Sequence, residues 1–199
     1  MRTVDIHSHF LPRSWPDLAA RFGTPDWPWM RHGPEGKAML MLGEQEFRPV
    51  TAACWDAALR LEAMDRDGVD VQIICATPLL FSYQRPPAHA LQVARIFNDA
   101  ALEICAAAPR RLKALCQVPL QDTDLACREL SRAMADGHIG VQIGNHVGGR
   151  ELSDDRRSGL RLTDLGTRGP RACQDAKKDQ SADRLRAPAL ARCGARVTA

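Results

Sequence analysis

No stretch of this 199-residue sequence approaches the roughly 18 consecutive apolar residues that a membrane-crossing helix needs, which excludes a helical span. No C-x-x-C pair occurs among Cys54, Cys75, Cys105, Cys116, Cys127, Cys173 and Cys193. Thiols so dispersed and odd in number, with no secretory leader ahead of the first strand pattern, predict a reducing, cytoplasmic setting. An excess of charge of either sign is nearly lacking too. A net charge of +3 is too small to argue for nucleic acid or a membrane surface as partner. No glycine-rich dinucleotide loop follows any strand pattern, which weakens a doubly wound nucleotide-binding fold. Aromatic residues are also missing after Phe97, and from Glu151 onward Arg, Lys, Ala, Gly and Pro dominate with no sustained period. These shifts divide the chain into an ordered part, residues 1–150, and an irregular tail, residues 151–199.

What is present in the ordered part alternates. Residues 3–9 read as a strand that Pro12 ends. Residues 11–50, punctuated by Pro12, Pro16, Pro25, Pro28 and Pro34, read as an insertion whose one regular feature is a hairpin of residues 38–42 and 46–50. Residues 51–68 read as a helix with Thr51 as N-cap, Trp55, Leu59 and Met64 on its apolar face, and Gly68 as its left-handed stop. Residues 69–76 form a β-branched, buried strand. Residues 88–108 follow as a helix, 112–118 as a strand, 122–137 as a helix with Leu125, Leu130, Ala133 and Met134 inward, and 139–143 as a strand. Four strands with intervening helices give the rhythm of a parallel sheet. The fold class is therefore α/β: the N-terminal half of a (β/α)8 barrel, about four βα units, with a small insertion after the first strand. At 199 residues the chain is short for the whole barrel, which needs about 250.

The chemistry-bearing residues gather at strand ends. His7 and His9, two apart on the first strand, point to one face. At the C-terminal end of a barrel strand they supply half of a tetrahedral or five-coordinate site for Zn²⁺ or a similar cation. Strict alternation puts Asp5 on that same face, as a group to orient a ligand. Arg48, in the loop-like insertion overhanging this end, is placed to grip a carboxylate through its planar fork. His146 follows the fourth strand on the same rim and is either a general acid/base or an ordinary loop histidine. His89 and His138 read as scaffold, and Cys75 and Cys116 as small core hydrophobes.

Six motifs in order then carry a resemblance: Asp5-Ile6-His7-Ser8-His9-Phe10-Leu11-Pro12, Phe47-Arg48-Pro49-Val50, Gly68-Val69-Asp70-Val71-Gln72, Cys75-Ala76-Thr77-Pro78, Gln117-Val118-Pro119-Leu120-Gln121-Asp122, and Gly140-Val141-Gln142-Ile143-Gly144-Asn145-His146. Together these resemble the aminocarboxymuconate-semialdehyde decarboxylase family, in the decarboxylase branch of the amidohydrolase superfamily. The resemblance implies a zinc-dependent, non-oxidative decarboxylase of kynurenine (tryptophan) or 2-nitrobenzoate catabolism, with a dicarboxylate substrate and a homodimeric assembly. It makes His7 and His9 zinc ligands and Arg48 the first carboxylate-binding arginine. It also implies a third histidine ligand, a proton-transfer histidine and an aspartate ligand on later strands. No histidine follows His146, and the motif series stops near Asp155, the pattern of a truncation or a reading-frame shift. This chain is accordingly expected to be inactive alone. The competing readings are a non-catalytic remnant or interaction fragment, and another aromatic-acid decarboxylase or hydratase on the same fold. Phe47-Arg48-Pro49-Val50 argues for the aminocarboxymuconate branch.

Overall fold

A computed structural model describes residues 2–147 and 150–151. In chain order it contains β1 (Val4–Phe10), α1 (Leu18–Phe22), β2 (Pro28–His32), β3 (Lys37–Leu42), β4 (Gln45–Thr51), α2 (Ala57–Arg66), β5 (Val71–Ala76), α3 (Pro87–Ala106), β6 (Leu112–Cys116), α4 (Thr123–Asp136), β7 (Gly140–Val141), β8 (His146–Val147) and β9 (Arg150–Glu151). Four of these strands form one sheet in the order β1-β5-β6-β7, and each pairs in parallel with the next. Every βα unit adds its strand on the same side of the last, as a barrel winds. A doubly wound sheet reverses direction, and no reversal occurs among the described residues.

The helices form where the sequence stops and starts them. Asp122 caps α4 by accepting from the Leu125 amide, and Gly137 ends it at φ +119°, a conformation that suits a residue without Cβ. On α3, Pro87 sits in the first turn, and Ala90, Val93, Ala94, Phe97, Ala101 and Cys105 recur at helical spacing and are buried. Val93, Phe97, Ala101 and Cys105 pack with Ile74, Leu112 and Ala114 in the main core. This defines the helix-facing side of the sheet. Cys116 continues it against Ala126, Leu130 and Ala133 of α4.

Several expectations change. The N-cap of α2 is Asp56, which accepts from the Ala58 and Leu59 amides, rather than Thr51. Residues 52–54 form a separate turn, because Asp56 offers the stronger cap. Leu59 lies outward and Arg60 takes the buried position one turn before Met64. Met134 is also outward, on the solvated side of α4. The insertion holds a three-stranded antiparallel sheet, β2-β3-β4, rather than a lone hairpin. The extra strand, β2, begins with Pro28 at an edge, where a missing amide costs no ladder bond. The fourth parallel strand is short, two residues in place of five. The irregular tail expected from residue 151 lies outside the described residues beyond β9.

Candidate metal and carboxylate site

Strand β1 does not keep strict alternation. Val4 and Asp5 register with Val71 and Gln72, but Ser8 and His9 register with Ile74 and Cys75. Ile6 and His7 therefore share the place opposite Ile73, which is a β-bulge. The bulge re-aims the chain. His9 stands beside Cys75 on the sheet face away from the helices, and the His7 ring meets it edge to face, centroids 4.8 Å apart. Asp5 falls on the opposite, helix-facing side with Gln72, whose amide nitrogen donates to Asp5 Oδ2 at 2.8 Å. The expectation that Asp5 shares a face with the two imidazoles is thus corrected. Its other oxygen accepts the His7 backbone amide at 3.1 Å, so Asp5 holds the bulge rather than a ring.

Nδ1 of His9 lies 3.4 Å from the Cys75 carbonyl oxygen. With its proton donated there, Nε2 keeps a lone pair for another partner. Burial, foremost, and the nearby charges of His7 and Arg48 hold the His9 pKa below its ordinary value, although the Cys75 carbonyl pulls the other way. The neutral ring this favours is the form that binds a metal ion. Two imidazoles at this spacing fit as part of a divalent-cation donor set. Among the described residues no group of three or more His, Cys, Asp or Glu could hold such an ion by itself.

Arg48 is on strand β4, not in a loop, in register with Leu40. A second register shift falls beside it, between Leu40 and Met41, and marks Phe47 as the extra residue of another bulge. The Arg48 guanidinium lies 5.9 Å from the centre of the Phe47 ring. A cavity of about 250 Å³ brings two of the predicted groups together: His9 and Arg48 line it with Phe47, Thr77, Cys54 and Leu40, and His7 does not. A larger cavity of about 860 Å³ lies between α1 and the β2-β3-β4 sheet, walled by Trp15, Trp27 and Trp29. Neither His7 nor His9 reaches it, so size does not locate the chemistry.

The remaining candidates fall elsewhere. His146 Nδ1 pairs with Asn145 Oδ1 at 2.8 Å on β8. His89 stacks on Phe22, and His138 turns Nδ1 to the Ala133 carbonyl at 3.1 Å. Cys75 and Cys116 are buried, and burial pushes their thiols up to about 11 and about 12. At neutral pH neither is a thiolate nucleophile.

Two polar groups behind the sheet escaped the sequence reading. Arg60 reaches the backbone of β1 from α2. Glu129, fully buried on α4, accepts from Arg132, Arg95 and Asn98, and Asn98 in turn bonds both the amide and the carbonyl of Gln117 at the end of β6. Arg60 had one readable sign: it lies four residues before the apolar Met64 on the same helix face.

The sequence profile of the amidohydrolase family matches residues 4–195, running past the end of the motif series. The 2-amino-3-carboxymuconate-6-semialdehyde decarboxylase of Dictyostelium discoideum is 34% identical over 152 residues, covering 76% of this chain and 42% of that protein. The enzyme of the same name from Caenorhabditis elegans is 30% identical, covering 76% of this chain and 43% of its own length. The chain thus spans less than half the length of these relatives. Among solved structures, a dihydroxybenzoic acid decarboxylase from a Polaromonas species, with bound manganese and the inhibitor 2-nitroresorcinol, superposes with a TM-score of 0.57 at 22% identity. It covers 83% of this chain and 48% of that one.

Proposed function

Because the chain belongs to the amidohydrolase family, we propose that it carries the entry half of a zinc-dependent, non-oxidative decarboxylase site for 2-amino-3-carboxymuconate 6-semialdehyde. The observation that carries this reading is the convergence of His9 and Arg48 on one cavity of about 250 Å³, the His7 ring beside His9. Zinc held by His7 and His9 would act as a Lewis acid and polarise a substrate oxygen. Arg48 grips a substrate carboxylate at the mouth through paired N–H donors, and the Phe47 ring beside it excludes water from that contact. Thr77, at the end of β5, closes the wall. The neutral His9 ring, its Nδ1 proton committed to Cys75, offers only its outer nitrogen.

Dimerisation, the cytoplasmic setting and the boundary near residue 150 belong to the same proposal. Among the described residues no helix is long and apolar enough to cross a membrane. Activity needs more donors than the described residues bring together. That shortfall favours a second reading, a non-catalytic fragment that retains the family's substrate mouth.

Metal analysis of the purified chain, with CO₂ release measured on the muconate semialdehyde and on dihydroxybenzoate, tests the two readings. Stoichiometric zinc with release from the first substrate supports the decarboxylase. Release from dihydroxybenzoate alone moves the chain to the aromatic-acid branch, and neither zinc nor CO₂ leaves the fragment reading.

A further inference from the structure

Behind the two imidazoles, on the helix-facing side of β1, lies a cation that neither coordination nor carboxylate binding uses. Arg60 of α2 is only 6% exposed. Its Nη1 donates to Ser8 Oγ at 3.1 Å and to Gln72 Oε1 at 2.7 Å. Its Nη2 donates to the His9 carbonyl at 2.9 Å and to the Cys54 carbonyl at 3.4 Å. Gln72 passes the network to Asp5, which holds the His7 amide. One connected set of side chains therefore grips the backbone of both histidines, His9 directly and His7 through two intermediaries. Among the described residues no carboxylate pairs with the guanidinium, and its Nε is buried with no hydrogen-bond partner.

Packing does not explain such a residue. A buried cation without an ion-paired carboxylate costs more than an apolar side chain of the same volume would at that helix position. What an apolar side chain lacks is the reach to two carbonyls and a hydroxyl on separate segments. Those segments are β1 at its histidine-bearing end and the turn after β4, whose Cys54 lines the cavity with Arg48. The bulge in β1 makes a clamp necessary. An extra residue loosens the ladder at the place where two rings must keep one arrangement.

We propose that Arg60 is a positioning residue for the cation site: by fixing Ser8 and His9 from behind the sheet, with Gln72 and Asp5 fixing His7, it holds the two imidazoles where one ion can take both. The inference rests on His7 and His9 being metal ligands.

The test uses the full 199-residue chain as wild type, Arg60→Met, Arg60→Lys and Ser8→Ala. Ring ¹⁵N signals of His9 in the metal-free chain should show one tautomer in the wild type and a mixture in Arg60→Met. Cobalt(II) titration followed by visible absorption should show affinity falling about 10- to 100-fold in Arg60→Met, the range seen when groups supporting a ligand are lost. Arg60→Lys should recover part of the loss. If Arg60→Met keeps the wild-type circular dichroism, ring signals and cobalt affinity, the proposal is overturned. If that variant does not fold, Ser8→Ala decides: it removes one partner of the same guanidinium and should shift the His9 signals in the same sense, and unchanged signals overturn the proposal. Failure of the wild type to take up cobalt would remove the metal reading alone, since the metal-free ring signals still report whether Arg60 sets the histidine geometry.

Discussion

The two faces of the parallel sheet are built to different standards. On the helix-facing side, Phe97, Ile74, Leu112 and Ala114 are essentially inaccessible, and the polar groups among them are tied to backbone. Arg60 binds the end of β1, and Asn98, braced by Glu129, binds the end of β6. On the other face Val4 is exposed and Ile6 is 71% exposed. That open face carries the imidazole pair. Gln117, at the rim after β6, is buried with neither side-chain polar atom partnered among the described residues. The difference separates what folds the chain from what the chain can do. Folding energy sits behind the sheet and chemistry in front of it, and the two meet only through the clamps on strand ends.

The largest expected effect breaks the rear face. Phe97 is 1% exposed and packs against Trp15 at 5.2 Å between ring centres. Phe97→Ala should cost about 3–5 kcal/mol, the usual range for emptying an aromatic site in a core, read by urea denaturation. A cost below about 1 kcal/mol would mean that this face is not where stability lies. The converse change is made in front. His7 is exposed, with no ring hydrogen bond among the described residues, so His7→Ala should alter stability by no more than about 0.5 kcal/mol. Cobalt or zinc affinity should fall by more than about 100-fold, roughly 2.7 kcal/mol. Unchanged affinity in calorimetry would take His7 out of the site.

The rear face was the more legible in sequence, and the physics explains why. Burial against helices demands apolar residues at fixed periods, so α3 could be placed from Leu91, Ala94, Phe97, Ala101 and Cys105, and β5 and β6 from the apolar runs of residues 69–76 and 112–118. The front face was legible by residue type but not by geometry. His7 and His9 announced themselves, whereas the bulge that puts Asp5 behind the sheet left no mark in a strand read at period two. Polar clamps were invisible for the opposite reason: an arginine or glutamate on a helix reads as solvated, and only Met64, one turn after Arg60, hinted otherwise. The proline-rich insertion hid α1 and β2 because short elements pinned by Trp15 and Trp27 have no period to read.

A third effect, limited to one proton, sharpens the contrast through pH. His138 is buried behind the sheet, and burial, foremost, with Arg132 beside it, lowers its pKa, against the Ala133 carbonyl, Glu129 and Asp136. In the unfolded chain the ring takes up a proton as the pH falls through about 6.5, its ordinary value; in the folded chain it does so only at lower pH. Protonation therefore favours unfolding. Stability should be level above about pH 7 and fall as the pH drops below 6.5. His138→Leu should flatten that decline in denaturation curves taken from pH 8 to 5, and a decline of the same steepness in that variant would assign it to other groups.

The smallest effect on the fold should come from Arg48. Its side chain is exposed on β4 at a bulge, against one face of Phe47, so the core gains nothing from its charge. Arg48→Lys keeps the charge and removes the planar fork. If the cavity takes a carboxylate through that fork, a dicarboxylate ligand should bind about tenfold more weakly to Arg48→Lys than to wild type, with the melting temperature unchanged within error. Phe47→Ala should then weaken binding less, because it removes only the ring that keeps water away from the guanidinium. Equal binding by lysine and arginine would mean that a point charge suffices at the mouth. The front face would then owe its specificity to the imidazole pair and to the cavity wall formed by Thr77 and Leu40.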